Sequence, residues 1–292
     1  MLDQLANGLL LGAIIAITSV GLSLVFSVTR AFNFAHGDMV TLGAMLMVFF
    51  THGLGLPVWL GIVIVVPLGA AFGGFLDLAL FRPMRRAGVG GIAMLVATLG
   101  LSLLLRYGML AVAGPEPRAL PLPTQRVHQV LGMAFTPMAM VVIVSTVVLL
   151  GLFGLFLNRS TLGTTMRAVS NNRALASASG IDVQRTMLAT WAISGGLAAI
   201  GGVMLGLTQL VYWDMGFQLL LLIFAGVIAG GLGTAYGAMA GGFFIGLVTQ
   251  LSVAMPYFRD HVDLKLAVAL SVMIVVLLVR PQGLLGRRVR VS

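Results

Sequence analysis

Residues 5–28 read LANGLLLGAIIAITSVGLSLVFSV, a run of 24 residues without one charged side chain. A helix of roughly 20 apolar residues is long enough to cross the hydrocarbon core of a bilayer. The whole chain has the same character, since 59% of its 292 residues are apolar and 9% are charged. The sequence therefore predicts an all-α polytopic integral membrane protein and excludes a water-soluble domain. This first segment lacks a basic start and a cleavage site, so we expect it to be retained.

Further apolar runs predict the other crossings. Two of them, 38–52 and 216–230, are only about 15 residues long, which is marginal for ~30 Å of hydrocarbon. We therefore expect eight or nine crossings in one membrane domain, 1–292. The full-length candidates are 5–28, 57–80, 92–112, 133–157, 186–212, 236–256 and 263–279.

The basic residues predict the orientation of the chain. If all nine segments cross, most of the positive charge that gives the net +9 falls on one side of the membrane. The positive-inside rule makes that side cytoplasmic, so the N-terminus is expected outside and the C-terminus inside. The cytoplasmic set is Arg30, Arg82, Arg85, Arg86, Arg159, Arg167, Arg173, Arg185, Arg280, Arg287, Arg288 and Arg290, against Arg118, Arg126, Arg259 and Lys265 outside.

The two short runs occupy comparable places in the two halves of the chain, which suggests an internal repeat. Paired interrupted segments point to a transport path, because backbone freed from a helix is tolerated only beside protein or a water-filled cavity. The alternative is a pair of tilted helices in which glycine serves packing. The residues assigned to the path are Asn33, His36 and Asp38 in the first half and Gly226, Gly230 and Gly231 in the second.

Ionisable residues within apolar runs are candidates for function. His36 and Asp38 are expected at a cytoplasm-side turn, where helix capping at a wet interface is the alternative role. Asp77 and Arg106 are expected to reach the interface or a buried partner. The spacing of Ser194, Ala198, Gly202 and Gly206 places four small residues on one helix face and predicts close helix packing.

Several kinds of chemistry are excluded or disfavoured. The chain has no cysteine, so it can form neither disulfides nor thiolate metal sites, and no metal site is expected. It contains no zinc-binding His-Glu-x-x-His pair, no nucleophile elbow and no phosphate-binding loop. We therefore disfavour an enzyme, and any ATP energy that the protein uses must come from a partner. A secondary transporter or channel stays open, although few carboxylates lie in the spans.

The longest cytoplasmic connection, 158–185, is predicted to contain a docking helix. Ser170 is a favourable N-cap, residues 171–179 are rich in alanine, and Gly180 suits the left-handed position after a helix. A helix of about 13 Å is marginal alone in water, so it should pack on something. A partner groove is preferred to lipid headgroups because Leu175 and Ile181 make a poor apolar face.

Five short motifs together resemble the branched-chain amino-acid ABC transporter permeases, the smaller of the two permease types in that family. The resemblance covers nearly the whole chain and depends on the order and spacing of the motifs. They are NFAHG at 33–37, RAVSNNRA at 167–174, GIDV at 180–183, AGGLG at 229–233 and RPQG at 280–283.

The resemblance implies the permease subunit of an ATP-driven importer in the bacterial inner membrane, carrying branched-chain or other small apolar amino acids. Its implied partners are a second homologous permease, two cytoplasmic ATPases that bind ATP and Mg, and an external solute-binding protein. Alternative solutes are urea, short amides and sugars. The glutamate that importers usually carry in this loop is missing. The implied ATPase-coupling residues are Arg167, Ala168, Ser170, Asn172, Arg173, Ala176 and Gly180.

Overall fold

The computed structural model describes residues 2–123, 126–130, 132–255 and 264–286, and within these ranges it is a helical bundle with one short hairpin. Helix α2 continues into a π-helical turn at Phe49–Gly53, and α3 leads through another at Asp77–Phe81 into α4. The strands β1 (His128–Val130) and β2 (Met133–Phe135) pair antiparallel. The helices are α1 (Leu2–Thr29), α2 (Ala35–Val48), α3 (Val58–Leu76), α4 (Arg82–Arg86), α5 (Gly91–Ala113), α6 (Pro137–Arg159), α7 (Thr161–Asn171), α8 (Arg173–Ala178), α9 (Val183–Thr208), α10 (Met215–Gly230), α11 (Ala235–Ser252) and α12 (Lys265–Val279).

The all-α membrane architecture predicted from the sequence is confirmed. Seven helices, α1, α3, α5, α6, α9, α11 and α12, correspond to the seven full-length candidates. Five stretches are long and apolar enough to cross a bilayer: Leu2–Thr29, Val58–Arg86, Gly91–Ala113, Pro137–Arg159 and Val183–Thr208. Two predicted boundaries were wrong, since 133–135 belongs to the hairpin and α9 ends at Thr208. Positions 256 and 263 and residues Arg259, Arg287, Arg288 and Arg290 lie outside the described residues.

The two short runs form half-length helices. The α-helical parts of α2 and α10, with 14 and 16 residues, are about 21 and 24 Å long, less than the thickness of the hydrocarbon core, and α2 then runs on into the π-helical turn at Phe49–Gly53. Each is entered through non-helical backbone, at residues 30–34 before α2 and 209–214 before α10. These are the interrupted segments that the sequence predicts.

Small residues let the central helices approach each other closely. Helix α1 lies against α11, where a Cβ on Gly246 would come within 2.3 Å of the backbone of Gly12. The predicted small-residue face of α9 is confirmed as a packing face, since a Cβ on Gly202 would lie 1.9 Å from the carbonyl oxygen of Val40 in α2. Helices α1 and α9 are mostly buried by these contacts, whereas α3, α5 and α6 surround them and are mostly exposed.

The connection 158–185, which the sequence predicts to be cytoplasmic, folds as two helices instead of one. Ser160 caps α7 by accepting from the backbone N–H of Gly163, and α7 then continues to Asn171 because its apolar side chains Met166 and Val169 pack inward at helical spacing. Ser170 therefore lies inside α7, and the predicted N-cap was wrong. The cap of the six-residue α8 is Asn172, whose Oδ1 accepts from the N–H of Leu175 at 3.0 Å. Gly180 has a φ of +81°, as predicted for the residue after a helix.

Replacing Gly202 with alanine should destabilise the bundle by about 1–3 kcal/mol, because the added methyl group meets the backbone of α2. Thermal unfolding in detergent measures the effect. Gly151→Ala on α6 is the matched control, since its Cβ meets nothing within 4 Å and alanine favours a helix. An equal, small effect of both substitutions would contradict the packing described for α9.

Candidate functional site

The first turns of the two half-length helices meet inside the bundle. A Cβ on Gly37 would lie 2.6 Å from the carbonyl oxygen of Gly216, and one on Gly216 would lie 2.1 Å from the carbonyl oxygen of Gly37. The backbone N–H of Gly216 donates to Thr41 Oγ1 at 3.0 Å. Only glycine permits this approach, so both positions require it. We call this contact the half-helix junction.

The half-helix junction lies beside the middle of α1. Nε2 of His36 is 2.9 Å from the carbonyl oxygen of Thr18, which is a little past the midpoint of the 28-residue α1. Asn33, His36 and Asp38 are all almost completely buried there. The expectation of a wet, cytoplasm-side turn was therefore wrong. Residues 31–34 run back into the bundle, and Asn33 Oδ1 accepts from the N–H of Ala35 where α2 begins.

A charged cluster joins three helices beside the junction. Asp38, in the first turn of α2, accepts hydrogen bonds from Ser102 Oγ and, at 3.2 Å, from Arg106 Nε on α5. Nη2 of Arg106 also donates to Ser102 Oγ at 2.9 Å. The Arg106 guanidinium lies over the ring of Phe217 in the first turn of α10, 3.3 Å from its centroid. The positive ends of two helix dipoles and one arginine therefore lie near the Asp38 carboxylate, and Asp214, the N-cap residue of α10, supplies a second carboxylate at these helix ends.

The charged cluster reaches the lateral surface of the bundle. The side chain of Arg106 is 11% exposed, and Phe217 is 38% exposed. Tyr107 is exposed and its ring centroid lies 6.0 Å from that of Trp213. Gln218 is also exposed. We call the surface formed by Arg106, Tyr107, Trp213, Phe217 and Gln218 the α5–α10 face.

The glycines predicted for the path lie elsewhere. Gly230 is about 21 Å along α10 from Gly216, at the helix end that faces the cytoplasmic connection. Each of the three predicted glycines packs closely against another glycine: Gly226 against Gly242, Gly230 against Gly237, and Gly231, with a φ of +120°, against Gly286. The structure therefore brings Asn33, His36 and Asp38 to the junction and gives the glycines a packing contact.

A second ion pair explains the other membrane charge. Asp77 and Arg85 approach to 2.7 Å, and their side chains are 0% and 7% exposed. The prediction that Asp77 and Arg106 reach a buried partner or the interface is confirmed for both. Near this pair, a cavity of about 10 Å³, lined partly by Asn33, Arg85 and Trp191, has room for about one water molecule. It is too small for an amino acid.

The cytoplasmic connection is held to its own bundle by arginines. Arg30 donates to the carbonyl oxygen of Ser170 at 2.6 Å, and Arg173 donates to that of Val28 at the end of α1. Arg167 donates to the carbonyl oxygen of Leu157 at 2.7 Å. Burial lowers the pKa of Arg173, and the nearby Arg85 cation lowers it further.

The residues predicted for ATPase coupling differ in exposure. Ala176 is buried with Val28, Val169 and Met187, and Ala168 packs against the same cluster. Asn172 and Gly180 shape the two ends of α8 and are exposed. The exposed surface of α8 instead includes Leu175, which is 64% exposed.

Two residues of the charged cluster were missed from the sequence. Ser102 lies four positions before Arg106, so both fall on one face of α5, and that polar pair in an apolar helix was a usable signal. Phe217 gave no signal, because an aromatic residue in an apolar run is ordinary. Among the described ranges, no group of three or more histidine, aspartate or glutamate residues could hold a metal ion.

The chain is similar in sequence to known membrane permeases. Residues 4–277 match the family model described as the permease component of branched-chain amino acid transport systems. The permease protein BraD of the high-affinity branched-chain amino acid transport system of Pseudomonas aeruginosa is 28% identical, over 98% of this chain and 96% of its own length. LivH of Escherichia coli K12 is 29% identical with the same coverage. A probable LivH of Methanocaldococcus jannaschii is 28% identical over 97% of this chain and 91% of its own length.

Replacing Asp38 with asparagine should destabilise the protein by about 3–5 kcal/mol, because Arg106 is left mostly buried without a counter-charge. Replacing Arg106 with methionine in the same chain removes that unpaired cation, so the double variant should be more stable than Asp38→Asn alone. Thermal unfolding of the single and double variants measures both effects. A double variant as unstable as the sum of the two single changes would show that the pair is not coupled.

Proposed function

The chain belongs to the family of branched-chain amino acid transport system permease components, and on that premise we propose that it carries branched-chain amino acids into the cell. As a family member it is the multi-pass permease subunit of an ABC importer and not the ATPase. The observation that carries the proposal is the family match, which spans 4–277, supported by named branched-chain amino acid permeases that align over nearly their full lengths.

We further propose that this chain works with a second homologous permease, two cytoplasmic ATPases that bind ATP and Mg, and an external solute-binding protein. The sequence supports this assembly because it has no phosphate-binding loop of its own. Its single cytoplasmic docking element can serve one ATPase, so two ATPases require two permeases. The proposed path runs at the interface between the two permeases.

Helix α8 is the proposed contact with the ATPase. Leu175 presents an exposed apolar side chain, while Ala176 on the same helix is buried against Val28 of α1 and Met187 of α9. Movement of α8 is therefore transmitted to those two long helices. The same helices hold α2, through the contact of His36 with Thr18 and the approach of Gly202 to Val40. Closure of the ATPases would in this way alter access at the half-helix junction.

The proposed orientation places the N-terminus outside and the C-terminus in the cytoplasm. The contact of Arg30 with Ser170 puts the end of α1 on the side of the cytoplasmic connection. The start of α1 lies on the other side, where the N–H of Ala134 in the hairpin donates to Asp3 at 3.0 Å. The basic side of the bundle supports this assignment by the positive-inside rule. In a bacterium the membrane would be the inner membrane.

Single introduced cysteines test the orientation. The chain has no cysteine of its own, so only the introduced thiol can react in this chain. Glu116 lies in the exposed loop after α5, and Ser177 is exposed on α8. A membrane-impermeant thiol reagent applied to intact cells should label the Glu116→Cys variant at once. It should label Ser177→Cys only after permeabilisation. The reverse pattern would overturn the proposed orientation.

Replacing Leu175 with glutamate should prevent the ATPases from co-purifying with the tagged permease, because a charge then occupies the apolar contact. ATP-dependent leucine uptake by proteoliposomes that contain the assembly should fall to background. Leu54→Glu is the matched control, because Leu54 is similarly exposed but lies beyond the outer end of α2. It should leave co-purification unchanged. Normal co-purification and uptake with Leu175→Glu would contradict the docking assignment, and leucine uptake by this chain alone would favour a secondary transporter.

A further inference from the structure

We propose that the α5–α10 face lines the translocation path and that Arg106 binds the carboxylate of the passing amino acid. The aromatic side chains beside it contact the apolar side chain of the substrate. This inference rests on the proposed function, because it names the groups that would recognise the solute.

The α5–α10 face differs from the other lateral surfaces of the bundle. The large exposed side chains of α3 and α6 are apolar, among them Val63, Leu68, Val144, Val148 and Leu152. Such surfaces are suited to lipid tails. The α5–α10 face instead presents a guanidinium, an amide and aromatic rings.

The position of Arg106 near the middle of α5 disfavours contact of its guanidinium with lipid. Helix α5 runs from Gly91 to Ala113, so Ser102 is its midpoint and Arg106 lies only about 6 Å further along. A charged side chain facing lipid near the bilayer centre is strongly disfavoured, and such residues face protein or a water-filled cavity. Arg106 therefore marks the side of this chain that does not face lipid.

The geometry of the cluster leaves Arg106 able to bind a carboxylate. Its Nε donates to Asp38 and one Nη2 hydrogen donates to Ser102. Arginine has five N–H donors. The remaining donors, two on Nη1 and one on Nη2, have no protein partner within the described part of the chain. Adjacent guanidinium nitrogens match the two oxygens of a carboxylate, which is the group common to all amino acids.

The neighbouring residues suit the rest of a branched-chain amino acid. Phe217 lies beneath the guanidinium, and the next residue along α5, Tyr107, has its ring 6.0 Å from that of Trp213. Aromatic faces contact aliphatic side chains favourably. Asp38 is a positioning residue, since it orients Arg106 through its own hydrogen bond and carries the balancing charge.

Cysteine labelling tests whether the α5–α10 face is accessible to water. Tyr107→Cys and Gln218→Cys place a thiol on the α5–α10 face, and Val144→Cys and Val148→Cys place one on the apolar surface of α6. In the full assembly during ATP turnover, a charged thiosulfonate should modify the first two at least about ten-fold faster, because it reacts in water. Transported leucine, delivered by the binding protein, should slow that reaction. Equal, slow labelling of all four variants would overturn the proposal and place the face against protein or lipid.

Measurements of leucine uptake test whether Arg106 binds the substrate. The Asp38→Asn, Arg106→Met double variant leaves no unpaired charge, so the assembly should still form and hydrolyse ATP when the binding protein is added. Leucine uptake at saturating binding protein should nevertheless fall by about ten-fold or more, as expected for loss of a charged hydrogen bond. Asp38→Asn together with Arg106→Lys should recover part of it. Uptake by the methionine variant within two-fold of the unaltered chain would overturn the role of Arg106.

These outcomes are separable from failure of the proposed function. If the unaltered assembly does not take up leucine, the function is wrong whatever the variants do. The difference in labelling rate between the two surfaces, measured without leucine, still reports whether the α5–α10 face lines a water-filled path.

Discussion

A peptide group in hydrocarbon must have a hydrogen-bond partner, and the rest of the structure depends on this constraint. Two stretches of this chain, 30–34 and 209–214, enter the membrane as non-helical backbone. They are tolerated because the protein around them supplies partners: Thr98 of α5 donates to the carbonyl oxygen of Phe32, and Val211 and Arg118 exchange backbone hydrogen bonds. Glycine and alanine on the contact faces of α1, α9 and α11 let these helices pack closely against α2 and α10.

Interruption of the two segments concentrates charge at one depth. The positive ends of α2 and α10 converge at the half-helix junction, and Arg106 adds a cation beside them. Asp38 compensates part of this charge. A guanidinium with free N–H donors beside two helix N-termini is suited to a solute that carries a carboxylate, and it lies on helices that connect to α8 through α1 and α9. Solute recognition and coupling would then share the same two helices.

The sequence predicted the architecture well, because membrane insertion is governed by the length and polarity of segments, and both can be read locally. It also pointed to 38–52 and 216–230 as interrupted. It misplaced His36 and Asp38, because the neutral residues 31–34 do not reveal whether the chain stays at the surface or returns into the bundle. It assigned the cap of the docking helix to Ser170. Met166 and Val169 extend α7 past that position because they pack against the bundle, and this packing cannot be read from the local sequence. It singled out Arg106 but missed the rest of the α5–α10 face, since that face combines residues from distant parts of the chain.

The position of the half-helix junction is the measurement that tests this account most directly. An electron cryomicroscopy map of the chain in a lipid nanodisc, with its partner subunits, would locate the first residues of α2 and α10 relative to the headgroups. The account predicts that Gly37 and Gly216 touch at the depth of Thr18, near the bilayer midplane. A map in which either helix begins at the headgroup layer and crosses the membrane uninterrupted would contradict it.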